Sequence, residues 1–191
     1  MARKLVVIFS LLYMAFMAWL AFRFHSQNEA FKFSVAAAGI GCGAVPLILG
    51  YFVKWKFNLP LVLSYLIFLF SAQYLGSISG WYGLGWWDTF LHALSGAILA
   101  FAGIALYERM IHRGAGTSIS AWFVFLFVFA FAVFGGVVWE IYEFSSDQFF
   151  GMNLQGGGNT DTMTDLISDT LGGLAVAIGS GLRTRWRKGK D

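Results

Sequence analysis

Eight of the ten acidic residues in the sequence lie between residues 88 and 169, and seven of them, Asp88, Glu140, Glu143, Asp147, Asp161, Asp165 and Asp169, fall at the same end of three successive apolar runs, with His92 among them. Carboxylate oxygens and an imidazole nitrogen are ligands of divalent cations, and the same groups act as general acids and bases. The spacing is helical. Asp88 and His92 are four residues apart, Glu140, Glu143 and Asp147 step by three and then four, and Asp161, Asp165 and Asp169 step by four. Each set therefore lines one face of a helix. From Gly114 through Leu182 there is no Lys or Arg. These carboxylates have no cationic partner in their own segment, and burying an unpaired charge costs several kcal/mol or forces protonation. A cluster of four or more, open to water at neutral pH, is more readily kept compact by a divalent cation than by protonating most of its members.

The expected metal ligands are His92, Glu143, Asp165 and Asp169, with Asp88 and Glu140 behind them as orienting or catalytic groups. Mg²⁺ and Mn²⁺ suit the oxygen-rich set, and one histidine with carboxylates also admits Zn²⁺ or Fe²⁺. Plainer readings stand beside this one. Asp147 and Asp161 fit solvated loop or cap positions, the whole cluster fits a structural hydrogen-bond network, and His92 fits a packed neutral imidazole held by Asp88 one turn away. His25 and His112 fall in loops and read as solvated.

The elements that must position these groups are set by composition. Of 191 residues, 58% are hydrophobic and 12% charged, against roughly 45–50% apolar and about 25% charged in soluble domains, and mean hydropathy is +0.68. A soluble globular protein is excluded. Apolar runs near the ~20 residues that cross a bilayer give six spans, 5–24, 33–53, 60–78, 88–107, 121–144 and 163–182. The fold class is an all-α polytopic transmembrane bundle of six helices, and residues 1–191 form a single integral membrane domain. The first run resembles a signal peptide at Arg3 and Lys4 but continues to Phe24 without an Ala-x-Ala site, so an uncleaved signal anchor is expected. Cys42 is the only cysteine, which excludes an intramolecular disulfide and a cysteine metal cluster.

The net charge of +3 does not mark a nucleic-acid partner, because the basic residues sit at the ends of apolar runs. With both termini cytoplasmic, Arg3, Lys4, Lys54, Lys56, Arg109, Arg113, Arg183, Arg185, Arg187, Lys188 and Lys190 lie inside, and only Arg23 and Lys32 outside. That bias predicts the orientation. Trp55, Trp122 and Trp186 then fall near inner ends, and Trp19, Trp81, Trp86, Trp87 and Trp139 near outer ends, as an interfacial belt requires. The acidic cluster is then expected to face the extracytoplasmic side of the membrane, and small residues such as Gly172 and Gly173 allow close helix approach.

The elements Tyr74-Leu75-Gly76, Trp87-Asp88-Thr89-Phe90-Leu91-His92-x3-Gly96, Trp139-Glu140-Ile141-Tyr142-Glu143 and Asp161-Thr162-x2-Asp165-x3-Asp169-x2-Gly172 resemble the YjdF-like family of bacterial inner-membrane proteins over roughly residues 60 to 182. That family brings no settled activity. A looser similarity runs to VanZ-like membrane proteins, linked to glycopeptide-antibiotic tolerance; Thr89, Glu143 and Asp169 stand here where those often have Lys, Gln and Asn.

Three functions fit the sequence. A metal-dependent hydrolase or transferase would act on a lipid or lipid-linked phosphate at the outer leaflet, the metal alone clamping phosphate because no Arg or Lys is near. A cation or proton transporter would use the carboxylates as a path, although the inner halves of the spans offer only Ser10, Ser64 and Glu108. A non-catalytic protein would use the cluster to pin three helices together. Membrane lipids are the expected partners.

Overall fold

The structure, a computed structural model, describes residues 2–52, 58–111, 119–156 and 158–188. Val53, Lys54, Trp55, Lys56, His112, Arg113, Gly157 and Lys190, and the side chains of Arg187 and Lys188, lie outside the described residues. Six α-helices are present among those described: α1 Ala2–Ser26, α2 Ala30–Phe52, α3 Leu59–Leu69, α4 Trp87–Met110, α5 Ala121–Phe150 and α6 Asn159–Lys188. A π-helical stretch Phe70–Ile78 prolongs α3, and a 3-10 turn Trp81–Gly83 leads into α4. Five segments are long and apolar enough to cross a membrane: Arg3–Ser26, Ala30–Phe52, Leu59–Ile78, Trp87–Met110 and Ala121–Phe150. The sixth helix is as long as α5, at 30 residues, but Asp161, Asp165 and Asp169 interrupt its apolar character, and it is not among the five.

The chain divides into two compact units, Met1–Trp87 and Asp88–Asp191. In the first, Met17, Leu20, Val62, Leu66 and Leu69 from α1 and α3 form a buried core. α2 stays helical through Pro46, which has no N–H to offer the Cys42 carbonyl one turn back. The Tyr65 hydroxyl donates to that carbonyl at 3.0 Å and satisfies it from α3. Tyr13 likewise donates to Gln73 Oε1 at 2.6 Å, tying α1 to the π-helical stretch.

The second unit holds α5 and α6 together as a hairpin. Ser120 caps α5, accepting from Trp122 N at 3.2 Å, and Gly151 ends it in the left-handed region at φ 63°. Asp147 then fastens the connecting loop, accepting from the backbone N–H groups of Leu154 at 2.7 Å and Gln155 at 3.0 Å.

Small residues set the register. A methyl group added to Gly136 would lie 2.9 Å from Asp169 Oδ2, and one added to Gly173 would lie 2.6 Å from Ala132 Cβ. One added to Gly181 would lie 3.2 Å from Phe125 Cβ. Rising along α5 corresponds to descending along α6, so the two are antiparallel. α4 runs parallel to α6, since His92 lies against Asp169 and, one turn on, Gly96 lies against Gly173; where the two cross, a methyl group on Gly96 would collide with the Asp169 carbonyl, and one on Gly172 with the Ala93 carbonyl. These backbones touch as closely as only glycine allows.

The consequence is a stack of layers, each taking one residue from α4, α5 and α6 in steps of four. Ala100, Val128 and Ala177, all 0% exposed, form one layer, and Gly96, Ala132 and Gly173 the next. His92, Gly136 and Asp169 follow, and then, toward the α5–α6 loop, Asp88, Glu140 and Asp165.

Candidate metal centre

The two layers nearest the loop carry the chemistry. On α4, Asp88 lies in the first turn and His92 one turn later. On α6, Asp165 and Asp169 are 2% exposed, and His92 is 7% exposed. His92 Nδ1 lies 3.0 Å from Asp169 Oδ2. The other oxygen of Asp169 accepts from the Ser95 hydroxyl, which also reaches the His92 carbonyl at 2.9 Å. Asp169 is thereby held from two sides, and its bond to Nδ1 places the ring proton there.

In the neutral ring that leaves Nε2 as the lone-pair donor. It faces two carboxylates, Asp88 Oδ1 at 3.7 Å and Asp165 Oδ2 at 3.7 Å, both beyond hydrogen-bonding distance. The three ligand atoms offered by Asp88, His92 and Asp165 all lie within 4.8 Å of one another. A cation about 2.1 Å from each of several tetrahedrally arranged donors sets them about 3.4 Å apart, so the spacing is close to what a small divalent ion needs. A carboxylate behind a histidine whose other nitrogen faces the metal is the recurrent arrangement that fixes tautomer and ring orientation.

The expected residues divide among three environments. Asp88, His92 and Asp165 offer converging ligand atoms, with Asp169 bonded to the far side of the ring. Glu140 is 5% exposed on the α5 face packed against α6, opposite Asp165 in the register, and neither of its oxygens has a hydrogen-bond partner. Glu143 is half-buried and accepts from Trp139 Nε1 at 2.9 Å. Asp147 is taken up by the loop amides, and Asp161 lies in the first turn of α6, where helix N–H groups favour a negative charge.

Two contributors escaped the sequence reading. Ser95, three residues after His92, braces Asp169. Gly136, four residues before Glu140, leaves the space that the Asp169 carboxylate fills. The signal for Gly136 was present in the steps of four through Ala132, Gly136 and Glu140, which match Gly173, Asp169 and Asp165 on the facing helix.

Beneath the two polar layers the helices close. Gly96, Ala132 and Gly173 pack against one another, and the Ala100, Val128 and Ala177 layer below is fully buried and apolar. The cluster thus has a sealed floor within the unit.

An uncharacterized protein of Thermotoga maritima is 31% identical over 107 residues, which cover 47% of this chain and 56% of that protein. The chain therefore spans little more than half the length of that relative. No solved structure matches. The family model described as predicted membrane protein (DUF2238) matches residues 5–185, which includes both polar layers and the glycines beneath them. On that match, covering nearly the whole sequence, the chain belongs to the DUF2238 family of predicted membrane proteins.

Proposed function

We propose that the protein is a bacterial inner-membrane protein that binds a divalent cation on Asp88, His92 and Asp165. The observation that carries this reading is the convergence of three donors within 4.8 Å, with the His92 Nδ1 proton already committed to Asp169. Three lone-pair donors turned toward one another repel unless a cation sits between them or a proton is shared among them, and a divalent cation serves all three at once. The division of labour expected from spacing alone is redrawn here on geometry: Asp88 joins the ligands, and Asp169 orients the histidine. The resemblance to YjdF-like proteins is the finer family reading, and the VanZ-like similarity rests on the sequence pattern alone.

In this reading all six helices cross the membrane, both termini are cytoplasmic, and the polar layers open to the extracytoplasmic side. α6 crosses because its acids face α4 and α5 and are spared contact with lipid. A reaction on a lipid or lipid-linked phosphate is favoured over transport by the sealed floor: an ion passing through would have to cross the Gly96, Ala132 and Gly173 layer, which offers no polar side chain. A divalent cation supplies Lewis acidity toward a phosphate oxygen. Asp169 and Ser95 keep the imidazole aimed at it.

The test uses protein purified in detergent. Zn²⁺ or Mn²⁺ should be retained near stoichiometric amount, and stripping with a chelator should lower the melting temperature, because a ligand bound only to the folded state adds stability. Absence of bound metal, with melting unaffected by chelator, would leave the structural hydrogen-bond network as the better account. A screen of lipid-linked phosphates, with His92→Ala as the control, tests the reaction class.

A further inference from the structure

We infer that a second divalent cation binds beside the first, anchored by Glu140. This inference rests on the Asp88, His92 and Asp165 site proposed above and extends it to a paired centre. Glu140 is 5% exposed and both carboxylate oxygens lack a hydrogen-bond partner. An orphaned, buried carboxylate costs several kcal/mol, and residues 114–182 hold no Lys or Arg to neutralise it; the groups that act on it from nearby are the neutral Thr162 hydroxyl and His92.

The register makes the position specific. Gly136 and Ala132, one and two turns before Glu140, lie against Asp169 and Gly173, so Glu140 faces α6 at the level of Asp165. It is not one of the three residues whose ligand atoms lie within 4.8 Å of one another. A single ion between Asp88, His92 and Asp165 would leave the Glu140 oxygens without a partner of their own.

Charge points the same way. The two polar layers hold four carboxylates, Asp88, Glu140, Asp165 and Asp169, and one imidazole. With all four carboxylates ionised, one divalent cation would offset half of their charge and two all of it. The nearby acids have other uses: Asp147 accepts from two loop amides, and Glu143 accepts from Trp139. Paired metal centres in helical bundles are built in this way, from carboxylates on facing helices with histidine one turn from a carboxylate. Asp165, which shares a layer with Glu140 and has Oδ2 3.7 Å from His92 Nε2, is the carboxylate placed to be shared.

The experiment is stoichiometry on the full chain. Protein purified in detergent is stripped, re-equilibrated with Mn²⁺ and measured by elemental analysis and electron paramagnetic resonance. Two Mn²⁺ per chain with an exchange-coupled spectrum are expected. Glu140→Gln, close to isosteric and uncharged, should retain one Mn²⁺ and give the six-line spectrum of an isolated ion. Glu140→Asp, which keeps the charge on a shorter arm and guards against a folding defect in E140Q, should hold the second ion at least about tenfold more weakly and the first unchanged. One Mn²⁺ in the unsubstituted protein would overturn the second cation and leave the first site standing. None would overturn both. Two Mn²⁺ persisting in E140Q would remove Glu140 as the anchor.

Discussion

The two ring nitrogens of His92 have different neighbours, and the difference sets what each surrounding residue contributes. Nδ1 is bonded to Asp169 Oδ2, and Nε2 faces Asp88 and Asp165. Removing the ring should abolish metal retention, so His92→Ala is expected to purify with background metal only. Asp169→Asn should behave differently: the amide oxygen can still accept from Nδ1, so the ring stays oriented, but the charge that raises its basicity is gone. Metal affinity should fall by about 10- to 100-fold and not vanish, a separation that titration of stripped protein with Zn²⁺ reads directly. Equal losses in H92A and D169N would place Asp169 on the metal itself. Ser95→Ala takes away a hydroxyl that braces Asp169. Its cost should be about 1 kcal/mol of stability, with metal binding weakened less than in D169N.

The elements decide which residues meet, and this is where sequence and structure part company. The steps of three and four in Asp88 and His92, in Glu140, Glu143 and Asp147, and in Asp161, Asp165 and Asp169 made the helices and their acidic faces legible, because helical periodicity is a local property. Which acid on α5 faces α6 depends on how the helix is rotated about its axis. That rotation comes from the close contacts at Gly136 and Gly173, not from the acids. Glu140 continues the line of Ala132 and Gly136, whereas Glu143 lies around the helix with its carboxylate on Trp139. The glycines therefore carry the register, and changing one should test it. A methyl group at Gly172 would overlap the Ala93 carbonyl, a backbone atom that cannot swing aside. Gly172→Ala should cost about 1–3 kcal/mol or more through overpacking, and by separating α4 from α6 it should also weaken the metal site. Gly179→Ala, on the same helix with nothing within 4 Å of the added methyl, is the control. Thermal melting should leave it unchanged or slightly raised, since alanine favours helix over glycine by up to about 1 kcal/mol.

For the whole molecule the open quantity is direction across the membrane, which helix packing leaves free and loop charge decides. The six-span reading puts eleven Lys and Arg residues on one side and two on the other, a difference large enough that inversion would carry the basic end of α6 through the bilayer. It also puts the α5–α6 loop, and with it the polar layers, on the extracytoplasmic side, where a metal or phosphate substrate would arrive without entering the cell. Both ends of α6 can be tested in intact cells. In a Cys42→Ser background, which removes the only native thiol, a cysteine at Asn153, exposed in the loop held by Asp147, should react with an impermeant maleimide added outside. A cysteine at Arg185, exposed near the far end of α6, should react only after lysis. Labelling of both from outside would mean that α6 does not cross, and that the carboxylates which lower its hydropathy belong to a helix lying at the surface. Labelling of Arg185→Cys alone would invert the topology and turn the metal site toward the cytoplasm. The pattern with Asn153→Cys outside and Arg185→Cys inside is the one expected, because the acids that make α6 too polar to stand alone in lipid face α4 and α5, leaving Ile167, Leu171 and Ile178, each about half exposed, for the membrane.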